Sequence, residues 1–291
     1  MPRGYLPRGY DFHPEVNHPV TRGYLPVDDG KLTSTGRALQ ILDCFTAASP
    51  ALTLSDIARR LGRPASSTHR QLRELTRWGA LERDEAGRYS IGLHLWEVGA
   101  LAPRSKGLRE AALPFLEDLY EATHENVQVA VLDGDEVVYV ERLFSHRATP
   151  IIVRPGARLP LHATGVGQVL LAHAGTEQVN AVLSRPLKRY TQYTLADPAG
   201  LRRELAAIRR DGYAISDRQF ELVSASVAAP IYGPGNTVVA ALSIIIPSGD
   251  NTARSFVPAV VAAARGISRS LAGPVAPRTR AAPGRDMPSQ F

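Results

Sequence analysis

The chain has 291 residues, enough for about two domains and a sizeable core. Charged residues are 21% and the apolar set 44%, which excludes a wholly disordered chain. The net charge is +6, from 34 Lys+Arg and 28 Asp+Glu, an excess that names no partner until it is located.

Residues 1–33 carry five prolines, few aliphatics and the string Arg-Gly-Tyr three times. That composition predicts a solvated tail, although such repeats can touch nucleic acid weakly through arginine and stacked tyrosine. Helix signals begin near Thr35. Ala38, Ile41, Leu42 and Phe45 fall at i, i+3, i+4 and i+7, one apolar stripe. Thr53-Leu-Ser-Asp56 then reads as the capped start of a second helix, with Leu54, Ile57, Ala58 and Leu61 as its stripe and Gly62 as its stop.

A third helix is predicted from Ser66 to Trp78, after the short turn Gly62-Arg-Pro-Ala65. Thr68, Leu72 and Leu75 make its inward stripe. Ser66, Arg70, Arg73 and Arg77 make a stripe on roughly the opposite side, flanked by Ser67 and His69. From Arg59 to Arg77 there are six arginines against one acid, Glu74, so the charge excess is focused here. Ala80–Arg83 and Arg88–Ile91 around Asp84-Glu-Ala-Gly87 predict a β-hairpin, a wing that carries Arg88 at its tip.

A solvated basic face is the plain reading of an isolated helix like this one. Here two short helices, a tight turn, a third helix with polarised faces and a hairpin agree with one another. They predict a winged helix-turn-helix over residues 34–92 that reads double-stranded DNA in the major groove. The contacts expected are Ser66, Ser67, His69, Arg70, Arg73 and Arg77, with Arg88 on phosphate or in the minor groove.

A linker helix is expected over residues 93–106, then a long helix with Leu108, Ala112, Phe115, Leu116 and Leu119 as its core stripe. Strands are expected at Val127–Leu132, Val137–Val140, Pro150–Val153, Tyr213–Asp217, Ala225–Tyr232 and Val238–Ile246. Helices are expected at 165–174, 176–184 and 197–211, with a last one carrying Val257 to Leu271. The fold class is therefore α+β, with a mainly antiparallel sheet over residues 107–272. Residues 273–291, rich in proline, read as a second tail.

Three stretches resemble the winged helix-turn-helix of the IclR-type transcriptional regulators: Leu54–Gly62, Ser66-Ser-Thr-His-Arg-Gln-Leu-Arg-Glu-Leu75 and Gly87-Arg-Tyr-Ser-Ile-Gly92. The resemblance continues through Gly165-Val-Gly-Gln-Val-Leu-Leu-Ala172, Gly212-Tyr213 and Ala228-Ala-Pro230, so it spans about residues 34–272. It implies a homodimer or homotetramer on operator DNA, with a small effector in the second domain. By similarity the pocket involves Leu159 to Val166, including His162, and the strands carrying Asp217, Ser224, Ser226 and Ser243.

The residues themselves suit an organic acid. A helix starting near Thr164-Gly165 offers free N–H groups to a carboxylate. The serines add donors, and Ile151, Leu159 and Val166 add apolar walls. Two departures from the family pattern stand out: Ser226, where a cysteine is frequent, and Ile244-Ile-Ile-Pro247, where a Ser/Gly-rich element is common. The second favours a larger or more apolar acid, an aromatic one among them. Each residue also has a plain reading: His162 as a structural histidine, Gly165-Val-Gly167 as tight packing, one of Ser224 and Ser226 facing solvent.

Two rival classes compete with this reading. A serine hydrolase needs an activated serine near a histidine and an acid; Ser226, His162 and Asp217 exist, but no G-x-S-x-G elbow does. A nucleoid protein without effector would not need about 170 residues beyond the DNA reader. No zinc spacing and no phosphate-cradling loop occurs, so no metal and no cofactor is expected. The single cysteine, Cys44, excludes an intramolecular disulfide and favours a reducing compartment. The start MPRGYLPRGY lacks an apolar signal core and no run reaches bilayer length, so a cytoplasmic protein with no membrane partner is expected.

Overall fold

The computed structural model describes residues 32–46, 49–101, 103–144, 155–249 and 252–272. Residues 1–31 of the tail expected over 1–33, the tail expected over 273–291, the strand expected at Pro150–Val153 and the pocket residue Ile151 lie outside the described residues.

Helix α1 spans Ser34–Leu42, and Thr33, at the end of the expected tail, caps it by accepting from the Gly36 N–H. Strand β1, Ala51–Leu52, precedes α2, Leu54–Leu61. The capping box forms as its sequence predicts: Thr53 Oγ1 accepts from the Asp56 N–H, and Asp56 returns a bond to the Thr53 N–H. Gly62 ends α2 at φ 64°, where any side chain would be strained. Helix α3 is Ala65–Trp78, and strands β2 (Leu81–Arg83) and β3 (Tyr89–Ile91) form the wing. The wing is a three-stranded sheet in the order β1-β3-β2, because β1, two residues long, pairs with β3. Ile41, Leu52, Ile57, Leu72, Leu81 and Tyr89 form the core of this unit.

The connection divides in two. Helix α4 is Leu93–Ala100, and α5 starts at Pro103 and runs to Thr123, so the single helix expected over 93–106 is broken. Proline suits a first helical position because it lacks the N–H that would be unpaired there.

Strands β4 (Asn126–Asp133), β5 (Glu136–Leu143) and β6 (Arg158–Pro160) lead into helices α6 (Gly165–Ala172), α7 (Thr176–Leu183) and α8 (Pro198–Asp211). Strands β7 (Ala214–Asp217), β8 (Ser224–Tyr232) and β9 (Val238–Pro247) complete the sheet before α9 (Ala253–Ala272). The order is β6-β5-β4-β9-β8-β7, and every pair is antiparallel.

Period-two alternation sorts the side chains between two cores. Val127, Val129, Val227 and Ile244 face α5 and α9, where Ala112, Leu116, Val260 and Ile267 cover them. Ala130, Val137, Tyr139 and Ala228 face the other way, toward Val166, Val169, Leu201 and Leu205 of α6 and α8. The start of α6 is thereby pressed against the middle of the sheet.

Candidate nucleic-acid interface and ligand cavity

Helix α3 is held by Thr68 and Leu72, both fully buried, and by half-buried Leu75. Ser66, Ser67, His69, Arg70, Arg73 and Arg77 are all exposed, as is Arg88 on the wing. The structure brings these seven predicted residues to the surface of α3 and the hairpin, but it does not leave them equivalent.

Hydrogen bonds divide the six arginines. Arg60 donates to the Cys44 carbonyl at 2.6 Å and to Ser49 Oγ at 2.8 Å. Arg63 donates to the Arg37 carbonyl at 3.0 Å and to Gln40. These two arginines tie the helices together. Arg59 pairs with Asp56 and Arg77 with Glu74, both on exposed surface where such pairs contribute little. Arg70 and Arg73 remain, exposed and without an ion-pair or hydrogen-bond partner among the described residues. Arg88 is bound to Asp84 through its backbone N–H at 2.8 Å and its Nε at 2.9 Å, and that backbone bond lowers the Asp84 carboxyl. The Ser67 hydroxyl donates to the Pro64 carbonyl at 2.9 Å, so its hydrogen is already committed.

The second site is a small cavity of about 40 Å³ between the sheet, the α6 start and the loop that follows β7. Leu159, Gly165, Val166, Ser224, Ser226 and Ser243, all singled out from sequence, line it. At this volume it holds a few waters, so an organic acid enters only as the walls move.

Strand register explains what lines the cavity. Ser226 pairs across the sheet with Ser216 and Ile245, and Ser243 pairs with Gln128, so each row faces the same side. Ser216, Gln128, Tyr139 and Ile245 therefore join the lining, together with Gln219, Phe220 and Glu221 of the loop. Of the Ile244–Pro247 stretch only Ile245 lines the cavity, while Ile244 and Ile246 belong to the opposite core.

Two predicted residues are placed elsewhere. Asp217 follows Ser216 by one position and falls on the other face of β7, where it pairs with Arg218. His162 points away from the cavity, and its Nε2–H donates to the Lys188 carbonyl at 2.8 Å. Burial lowers the His162 imidazole, and that bond opposes the shift, as suits a structural histidine. Ser226, His162 and Asp217 are thus not brought together as a nucleophile, base and acid.

At the α6 start, Thr164 Oγ1 accepts from the Gly167 N–H at 3.2 Å and donates to the Pro160 carbonyl at 2.9 Å. The N–H groups of Gly165 and Val166 precede the first helical bonds, and both residues line the cavity. The two glycines differ in use. A Cβ on Gly167 would lie 2.4 Å from the Leu161 carbonyl oxygen, so Gly167 permits close backbone packing. A Cβ on Gly165 would lie 2.6 Å from Ser226 Oγ, so Gly165 keeps this end of the cavity open to a cavity-lining hydroxyl.

Three cavity-lining oxygens are buried without a hydrogen-bond partner: Gln128 Oε1, Ser243 Oγ and Glu221 Oε2. Gln128 and Ser243 are each 1% exposed. Burial pushes the Glu221 carboxyl up to about 7, and burial with the nearby Glu221 charge raises the Tyr139 phenol. No group of residues that could hold a metal ion occurs among the described residues, nor does a helix long and apolar enough to cross a membrane.

Comparison with known proteins agrees with this arrangement. Residues 34–85 match the IclR helix-turn-helix domain and residues 101–269 match the bacterial transcriptional regulator IclR C-terminal domain. The chain is 35% identical over 250 residues to the HTH-type transcriptional regulator BhcR of Paracoccus denitrificans, covering 84% of this chain and 89% of that one. It is 30% identical over 267 residues to the transcriptional repressor IclR of Escherichia coli, covering 88% and 97%. A crystal structure of an IclR homolog from Microbacterium hydrocarbonoxydans complexed with 4-hydroxybenzoate superposes with a TM-score of 0.79 at 38% identity, over 82% of this chain and 99% of that one. The chain belongs to the IclR family of bacterial transcriptional regulators, built from a winged helix-turn-helix and an antiparallel-sheet domain.

Proposed function

We propose that this regulator binds a palindromic operator as a dimer, or a pair of dimers, and that a small organic acid in the α6 cavity sets its operator affinity. Residues 34–92 read the DNA and residues 107–272 hold the effector. Arg70 and Arg73 make the principal contacts, base edges or phosphates, with Ser66, Ser67, His69, Arg77 and Arg88 around them. Arg77 and Arg88 must exchange an exposed acid for phosphate, a small cost.

The observation that carries the effector reading is the cavity itself, with three buried oxygens that no protein group satisfies. Unpaired buried polar atoms are expensive, and a ligand that pairs them recovers that cost. Gly165, Val166 and Ser226 supply the carboxylate end, and Leu159, Tyr139, Phe220 and Ile245 the apolar walls. That the Microbacterium homolog holds 4-hydroxybenzoate supports an aromatic acid as one candidate.

The dimer reading rests on α4. None of its residues is buried, yet Leu93, Trp96 and Val98 are apolar, and Leu101 just beyond it is 75% exposed. A second copy related by a twofold axis would cover this face.

The test uses the full chain. Thermal-shift and calorimetric screening against organic and aromatic acids, 4-hydroxybenzoate included, is followed by mobility shifts on an operator selected from random duplexes. An acid that raises the melting temperature and changes operator affinity is expected. Absence of any stabilising acid, with operator binding intact, would refute the effector reading.

A further inference from the structure

We propose that the cavity selects an acid carrying a hydrogen-bond-donating substituent, a hydroxyl or amino group, and that Glu221 is the residue that imposes this choice. The inference rests on the reading that the cavity holds the effector.

The cavity is chemically two-ended. At the α6 start it presents donors, the N–H groups of Gly165 and Val166. The unsatisfied groups elsewhere in its wall are of the other kind: Gln128 Oε1 and Glu221 Oε2 accept, and only Ser243 Oγ can do both. A plain carboxylic acid would satisfy the donors and leave the acceptors buried and unpaired. A ligand carboxylate placed at Glu221 instead would set two acids face to face. An acid with a donor on its far side satisfies both ends in one orientation. A glutamine amide can turn over and offer N–H groups; the Glu221 carboxyl, once its proton is released near pH 7, can only accept, so the choice falls on Glu221 and is measured at pH 8.

Glu221 is also fixed in place. Its loop is held by Thr191 Oγ1 donating to the Arg218 carbonyl at 2.5 Å and Thr194 Oγ1 donating to the Gln219 carbonyl at 2.6 Å. Gln168 Nε2 donates to Gln219 Oε1 at 2.6 Å, and Ser248 Oγ donates to the Leu222 carbonyl at 2.9 Å. Phe220 rests against Tyr190 with ring centroids 4.9 Å apart. Positions held on both sides in this way give a selective acceptor.

The experiment measures affinity ratios by calorimetry on the full chain. Benzoate is compared with the three hydroxybenzoates and the three aminobenzoates, and butyrate with 3-hydroxybutyrate and 4-aminobutyrate. At least one substituted acid is expected to bind about tenfold or more tightly than its parent, consistent with a lost partner at a buried polar group. The two substituent series show whether hydroxyl or amine is preferred. In Glu221→Leu the ratio is expected to fall to within about twofold, with the parent acid bound as well as before or better. Glu221→Gln, which keeps an acceptor, is expected to retain part of the ratio and covers the case in which the leucine variant does not fold. Parents that bind as tightly as their substituted forms overturn the proposal while leaving the effector cavity standing, as does a folded Glu221→Leu with the wild-type ratio. If no acid binds at all, the effector reading fails and this inference falls with it.

Discussion

Replacing Arg70 or Arg73 by alanine tests the division of the arginines on the DNA-reading domain. Both side chains are exposed and have no partner among the described residues, so their loss leaves no protein group unsatisfied and the fold intact. An arginine on a base edge contributes about 1–3 kcal/mol, and the proposed symmetric dimer would use it twice. The expected loss of operator affinity is therefore about 2–6 kcal/mol, at least about thirtyfold. If the contact is to phosphate, the slope of log affinity against log salt falls by about 0.9 per contact, about 1.8 per dimer. Arg60→Ala is the counterpart within the same basic window. It frees the part-buried Cys44 carbonyl and the exposed Ser49 Oγ, which water can reach, so the cost is about 1 kcal/mol of stability, the low end for an orphaned acceptor. Its melting point falls, but operator affinity per folded molecule and the salt slope hold. Fluorescence anisotropy between 50 and about 200 mM salt, with calorimetric melting of each variant, separates the two. An Arg60→Ala slope reduced as far as that of Arg70→Ala, or an Arg70→Ala, Arg73→Ala double variant with wild-type affinity, would refute this division.

Three further outcomes are expected. Leu72 is fully buried in the core of the DNA-reading unit, so Leu72→Ala destabilises it by about 2–5 kcal/mol, measured by chemical denaturation. Trp96 is 65% exposed on α4, so Trp96→Asp leaves folding unchanged and converts the proposed dimer to monomer in light scattering; an unchanged mass refutes the α4 interface. The folded Glu221 carboxyl holds its proton up to about 7, against 4.5 for the ordinary side chain, so its contribution is full below 4.5 and is lost as pH rises through about 7. The ceiling on that loss is about 3 kcal/mol, and Glu221→Gln flattens the wild-type fall in stability between pH 5 and 8 measured by denaturant titration.

The DNA-reading unit was legible because its signals are local. Thr53 with Asp56, the stop at Gly62 and the polar stripe of α3 are all spacings within a few residues. The sequence could not show which arginines are spent on the fold, since the partners of Arg60 and Arg63 lie 11 to 26 positions away. The cavity was legible only in part for the same reason. Ser226 and Ser243 were found, but their row-mates Ser216 and Gln128 depend on register between strands distant in the chain. Asp217 shows the cost of a one-residue uncertainty: its neighbour Ser216 holds the place in the cavity. Glu221 carried no signal, because a glutamate in a loop normally faces water and only the packing of its neighbours buries it.

On the proposed reading, the geometry also offers a route from the effector cavity to the DNA reader. Strands β4, β8 and β9 carry cavity residues on one face and core residues on the other, so Gln128 alternates with Val127 and Val129, Ser226 with Ala225 and Val227, and Ser243 with Leu242 and Ile244. That second face packs against Leu108, Ala112, Leu116 and Leu119 of α5. A cavity of about 40 Å³ must widen to admit an acid, and close-packed strands pass such a movement to the helix behind them. Helix α4, which ends at Ala100 and abuts the wing strand β2, precedes α5 in the chain and is the covalent path from α5 to the DNA reader. A Gly-Ser pair inserted after Leu101 therefore leaves effector affinity and operator affinity each near wild type but reduces their coupling. Wild-type coupling is the ratio of operator affinities with and without saturating effector, and by linkage the operator changes effector affinity by the same factor. In the insertion variant that factor is expected to fall toward one. If it is unchanged, the signal passes by another route, through contacts between subunits rather than along α5 and α4.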